Sequence, residues 1–180
     1  MAKKLNYDPN EKCTQAIVFA RVSSKKQKDK GVSLDVQMET ITQYCIDNGL
    51  KIVKDLSIDE SSTKGERKQY HEMLDFAKSC AGKVAIIVNY VDRLQRSYDD
   101  TYELNKLRKE GKIEIHFLKE DLIITKDSAA MDLTFWNMHV LMANFQVNTM
   151  IDKVKASQKQ NWAVGKWQGL APIGYLNTRD

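Results

Sequence analysis

The sequence predicts an α/β fold: a mainly parallel, doubly wound sheet flanked by helices in three layers, followed by a long C-terminal helix. Three observations carry this. Short apolar runs, Ala16-Ile17-Val18-Phe19 and Val84 to Val88, have the length and branching of strands buried on both faces. Between such runs lie segments with apolar residues at helical spacing, closed by Gly49 and Gly111. Strand and helix therefore alternate, which favours parallel strands joined by crossover helices. From Asp127 onward a helical pattern then continues for longer than a domain of this size needs.

The elements follow in order. Residues 1–12 are polar, carry an Asp-Pro-Asn turn signal and are expected to form a loose arm. The first strand is expected over 15–22, leading into a basic, glycine-ended loop from Lys25 to Gly31. Ser33 opens a helix reaching Asn48, with Val36, Thr40, Ile41, Tyr44 and Cys45 marking its inward face. Lys51 to Ser57 alternates as a second strand and gives way to the acidic, hydroxyl-rich stretch from Asp59 to Gly65. A helix from Arg67 to Cys80 places Tyr70, Met73, Leu74 and Ala77 at helical spacing. Val84 to Val88 is the clearest buried strand. A helix from Ser97 to Glu110, a strand from Ile113 to Leu118 and a short edge strand from Leu122 to Thr125 complete the core.

Asp127 or Ser128 offers an N-cap for the long helix, which reaches Gln160. Leu133, Trp136, Val140, Val147 and Ile151 form one apolar stripe, and Phe135, Met138, Met142 and Phe145 form another. A helix apolar nearly all round must be covered on both sides. Its own sheet serves one stripe, and the second is assigned to a homodimer interface, a fully buried core helix being the alternative. The organisation expected is a core over 1–127, the long helix over 128–160, and over 161–180 a glycine- and aromatic-rich linker entering a module that breaks off.

At 180 residues the chain can bury one good core. Its net charge of +4 permits a nucleic-acid partner without demanding one. Cys13, Cys45 and Cys80 are odd in number and lack paired ligand spacing, which argues against a disulfide framework and a zinc site. Apolar stretches are too short for a membrane span and the N-terminus lacks a signal peptide's apolar core, so a cytoplasmic protein with no membrane partner is expected.

Arginine is favoured over lysine where a planar fork must grip phosphate, and the few arginines here are not scattered. Three predicted strands are followed by polar loops: one with Arg21, Ser23 and Gln27, one with Ser61 and Arg67, and one with Asp92, Arg93 and Arg96. Neighbouring strands would bring these loops to one edge of the sheet. A helix beginning by Asp92 would point Arg93 and Arg96 the same way, with Asp92 orienting one of them. The chemistry this suits is attack by Ser23 on a phosphodiester. One guanidinium about 4 Å from the developing charge is worth roughly 4 kcal/mol at an effective dielectric of about 20, before desolvation. Several arginines can therefore do what metal ions do elsewhere, and no metal or other cofactor is expected. Each feature has a plainer role when taken singly. Ser23 can cap a turn, Asp92 and the arginines can open an ordinary charged helix, and Arg67 can head one. His71, His116 and His139 suit packing or solvation, and Trp136, Trp162 and Trp167 suit core or linker anchors.

Together, Ala20-Arg21-Val22-Ser23-Ser24-x-x-Gln27, Ser33-Leu34-Asp35-Val36-Gln37, Ser61, Arg67 and Asp92-Arg93-Leu94-Gln95-Arg96 resemble the serine recombinase (resolvase/invertase) family. The tail Gly165-Lys166-Trp167-x-Gly169-x-Ala171-Pro172-x-Gly174-Tyr175 resembles the start of the recombinase domain of its large members, the integrases. The resemblance implies a resolvase-like fold and a site-specific DNA recombinase. In it, Ser23 forms a 5′-phosphoserine link, Arg21, Arg67, Arg93 and Arg96 hold the scissile phosphate, and Gln27, Gln37, Ser61 and Asp92 support them. It implies double-stranded DNA as partner, dimers joining in a synaptic tetramer, and strand exchange without ATP or metal. Lys153, Lys155 and Lys159 would meet DNA phosphates. Two departures from the family stand out: Gln146-Val147 where Glu-Arg is common, and Gln95 where glycine is common. The first motivates an alternative, a catalytically silent DNA-binding or assembly paralogue.

Overall fold

The computed structural model describes residues 13–20, 34–56, 63–95, 98–167, 169, 171 and 173–176. Its elements are β1 (Gln15–Val18), α1 (Leu34–Asn48), β2 (Lys51–Asp55), α2 (Thr63–Ser79), β3 (Val84–Val88), α3 (Val91–Leu94), α4 (Tyr98–Lys109), β4 (Ile113–Phe117), β5 (Leu122–Ile124) and α5 (Ala130–Ala163). The strands form one sheet in the order β2-β1-β3-β4-β5. The first four are parallel and β5 runs antiparallel to β4.

The fold divides into two units, Met1–Val140 and Leu141–Asp180. In the first, alternate side chains of each strand serve opposite layers. Ile17, Phe19, Ile86, Val88, Ile115 and Phe117 pack with Met73 and Leu74 of α2, Leu104 of α4 and Trp136 of α5. Ala16, Val18, Ala85 and Ile87 pack with Ile41 and Cys45 of α1. A sheet covered on both faces is the reason β3 can be apolar at every position.

Several boundaries and faces correct the sequence reading. β1 ends at Val18 rather than at 22, although Phe19 N–H still donates to Ile87 O at 3.0 Å. The inward face of α1 is Gln37, Ile41 and Cys45, a strict four-residue stagger, whereas Val36 and Thr40 are exposed. Gln37 takes an inward position because it finds a buried polar partner, so the apolar pattern alone set the face one residue off. α2 begins at Thr63, ahead of Arg67, and the helix considered from Asp92 is a separate single turn, α3, that stops before α4. Ser128 does not cap the long helix. Its hydroxyl accepts from Thr125 N–H at 2.7 Å, closing the turn after β5, while Ala129 O receives the helix's early bond from Leu133 N–H.

On α5, Trp136 and Val140 are buried, but Phe135, Met138, Met142 and Phe145 are 45–68% exposed, which excludes the fully buried helix. In the second unit, α5 closes on Gly165. Lys166 N–H reaches back to Asn161 O at 2.8 Å and Gly165 N–H to Trp162 O at 3.0 Å. This wrap needs the left-handed φ of +76° at Gly165. Among the described residues no helix is long and apolar enough to cross a membrane.

Candidate active site at the carboxyl edge of the sheet

β1 lies between β2 and β3, so the strand order reverses beside it. In open α/β sheets, ligands bind outside the carboxyl ends of strands at such a reversal. The three strands end together here, Val18 standing opposite Asp55 of β2 and Ile87 of β3. Hydrogen bonds continue the ladder beyond the strands, from Leu56 N–H to Val18 O at 2.9 Å and from Leu118 N–H to Val88 O at 3.0 Å. The connections that start after Ala20, Leu56 and Asn89 therefore leave one edge of the sheet from neighbouring strands. These are the connections bearing the residues singled out in sequence. Arg21, Ser23, Gln27, Ser61 and Arg96 lie outside the described residues. Arg67 is on the first turns of α2, and its side chain is likewise outside the description.

The third connection is described almost throughout. Val91 opens α3 without a cap from Tyr90, and its N–H instead donates to Glu120 Oε1 at 3.1 Å. Glu120 follows β4, and its other carboxylate oxygen is buried with no hydrogen-bond partner among the described residues. Burial pushes the Glu120 carboxyl above its ordinary range, against the pull of the Val91 N–H. Asp92 sits 3.8 Å from the Arg93 Nε, the pairing expected of them. The expected common face for Arg93 and Arg96 does not form through helical spacing. α3 ends at Leu94 and Gln95 is extended, with φ −128° and ψ 129°, so the helix stops short of Arg96.

The reason lies in Gln95, which is wholly buried. Its amide nitrogen donates to Thr101 Oγ1 at 2.9 Å and its oxygen accepts the Trp136 indole N–H at 2.6 Å. An amide both donates and accepts, so it can satisfy two buried partners at once. Gln37 is also buried, on α1, and its oxygen accepts a long 3.5 Å bond from Asn89 Nδ2 at the end of β3. Lys153, Lys155 and Lys159 are exposed on α5 in the second unit. Lys155 and Lys159, four apart, share a face, whereas Lys153 lies on another.

Asn89, Glu120 and Trp136 had no functional role in the sequence reading, and Gln95 counted only as an exception to a pattern. Asn89 left a usable signal, since a polar residue directly after a fully apolar strand must find a partner or pay desolvation. Nothing local marks Glu120 or Trp136, whose partners are distant in sequence.

The family model for the resolvase N-terminal domain matches residues 16–167. The chain belongs to the resolvase family of serine recombinases. It is 27% identical over 154 residues to the transposon Tn552 resolvase of Staphylococcus aureus, covering 85% of this chain and 70% of that protein. Two solved structures share the fold of this serine recombinase domain. One is the N-terminal catalytic domain of TP901-1 integrase, with TM-score 0.55, 24% identity, and coverage of 76% of this chain and 99% of that one. The other is a resolvase family site-specific recombinase from Streptococcus pneumoniae, with TM-score 0.54, 16% identity, and coverage of 81% and 99%. The mainly parallel sheet, flanking helices and long C-terminal helix expected from the sequence are thus those of a resolvase catalytic domain.

Proposed function

We propose that the chain cleaves and rejoins double-stranded DNA through a covalent bond to Ser23. The single observation that carries this is the common edge reached by β1, β2 and β3, which gathers the connections bearing Ser23, Arg67 and Arg93. Ser23 Oγ attacks the backbone phosphorus, the 3′-oxygen leaves as a hydroxyl, and a 5′-phosphoserine remains. Attack by a second 3′-hydroxyl reverses the step, so ester energy is conserved and no ATP is needed. Arg21, Arg67, Arg93 and Arg96 stabilise the charge on the phosphoryl oxygens, in the place of metal ions. Gln27, Gln37, Ser61 and Asp92 hold them, and the 3.8 Å Asp92–Arg93 pair supports that part of the shell.

Residues 1–127 act as the catalytic core, 128–160 as the dimerisation and DNA-approach helix, and 161–180 as the lead into a DNA-binding domain. Dimers pair into a tetramer for strand exchange. Lys153, Lys155 and Lys159 contact phosphates, adding affinity without reading sequence. The work belongs in the cytoplasm, where DNA is at hand.

The test is covalent capture from cells carrying the chain's own genomic region. After denaturation, DNA should remain on a peptide containing Ser23 and should be absent from Ser23→Ala. A bound but never covalently attached protein would instead select the silent paralogue, the reading favoured by exposed Gln146-Val147 on α5.

A further inference from the structure

The buried triad of Gln95, Thr101 and Trp136 joins three segments that the catalytic scheme leaves unconnected. Gln95 directly follows α3, the helix carrying Asp92 and Arg93. Thr101 is on α4 and Trp136 on α5, and all three side chains are buried. At its other end α3 is gripped by Glu120, which accepts the Val91 N–H. The helix between these two grips is a single turn, too short to hold itself. Its placement is therefore set by the core packing of Val91 and Leu94 and by what holds the Val91 N–H and Gln95.

We infer that Gln95 is a positioning residue for Arg93, its amide tying the arginine-bearing turn α3 to Trp136 on the long helix α5. This rests on the recombinase function proposed above and adds a residue to it. The short 2.6 Å bond to the indole fixes Gln95 along α5, and the 2.9 Å bond to Thr101 fixes its amide plane. A glycine at this position could make neither bond. Trp136 is flanked on its own helix by Phe135 and Met138, both exposed. Phosphate charge is stabilised only by groups already in place, so loss of the bond should slow chemistry while DNA binding persists.

The experiment compares wild type, Gln95→Leu, Trp136→Phe and the double variant, with Ser23→Ala as the blank. Full-length protein is expressed in cells carrying its own genomic region. DNA held after formaldehyde gives the bound amount, and DNA held through denaturation without formaldehyde gives the covalent amount. Each single variant should lower the covalent-to-bound ratio by about tenfold or more, and the double variant should fall no further than the worse single one. In a Trp162→Phe/Trp167→Phe background, Gln95→Leu should also shift Trp136 fluorescence to shorter wavelength as the indole loses its acceptor. Thermal melts establish that each variant is folded, and Trp136→Phe decides if Gln95→Leu is not. Singles that keep the wild-type ratio within about twofold, or losses that multiply in the double variant, would overturn the inference. Wild-type protein that binds DNA yet forms no adduct would defeat the recombinase function itself, and this inference with it.

Discussion

Arg108 shows how a conspicuous arginine can be wholly structural. It is buried, and its guanidinium donates to Thr125 O at 2.6 Å, Lys126 O at 3.3 Å and Asn105 Oδ1 at 3.2 Å. It thereby binds α4 to the turn between β5 and α5. Replacing it with Met strands those carbonyls, so Arg108→Met should cost about 2–3 kcal/mol in urea unfolding. The cysteines make a second case. Burial pushes the Cys13 and Cys45 thiols up to about 11, whereas Cys80 is partly exposed. A thiolate-selective alkylating agent on native protein should therefore label Cys80 first, with the order read by mass spectrometry. The same shifts set an alkaline limit. Between the ordinary thiol value of 9.0 and about 11, the folded state keeps protons that the unfolded state has released. The thiols' contribution to stability should be constant below that window and fall as pH rises through it, and Cys45→Ala should flatten the fall.

α1 is fastened to the sheet by a polar chain inside an apolar layer. Tyr44 Oη lies 2.9 Å from His116 Nδ1, His116 Nε2 lies 3.2 Å from Glu114 Oε1, and Lys83 Nζ lies 3.1 Å from Glu114 Oε2. The chain runs from α1 to β4 and then to the residue preceding β3. Glu114 and His116 are almost wholly inaccessible, so a bond removed from either is not replaced by water. Glu114→Ala should cost about 3–5 kcal/mol because it takes the buried carboxylate from a lysine and a histidine together. Tyr44→Phe, which removes one terminal hydroxyl, should cost about 1 kcal/mol. That ratio, measured by thermal or urea unfolding, distinguishes a linked network from independent contacts. On the opposite layer, Tyr70 Oη donates to Asp100 O at 2.7 Å and joins α2 to α4.

α5 carries the surface to which assembly was assigned. Phe135 and Met138 in the first unit, and Leu141, Met142 and Phe145 in the second, are all exposed at 45% or more, apolar area that water does not favour. Covering it with a second copy is the assembly proposed above. Met142→Asp with Phe145→Asp should then leave a folded chain that sediments as a monomer where wild type sediments as a dimer. Downstream on the same helix are Lys153, Lys155 and Lys159, the exposed lysines proposed above to neutralise phosphates. Their combined change to alanine should weaken DNA binding evenly across sequences and flatten its salt dependence by about one unit of slope per lost contact. Unchanged salt dependence would remove these lysines from the interface.

Much of this architecture is written in neighbouring residues. Period-two and period-3.6 patterns, a glycine after a helix and a fully apolar run depend on residues a few positions apart, and they located Val84–Val88 to the residue and α4 within one residue at each end. The recombinase motifs were legible for the same reason, since each lies within one connection. Contacts across the fold left no such trace. Gln95 meets Trp136 across 41 residues and Asn89 meets Gln37 across 52, so composition and spacing could not announce either pair. The face of α1 depended on whether a buried amide would be matched by a polar partner, and the end of α3 on whether Gln95 would be drawn into the core. Local pattern decided which segments are strands and helices and which connections carry the candidate residues. Packing of distant polar groups, each obliged to find a partner once out of water, fixed how those connections are held.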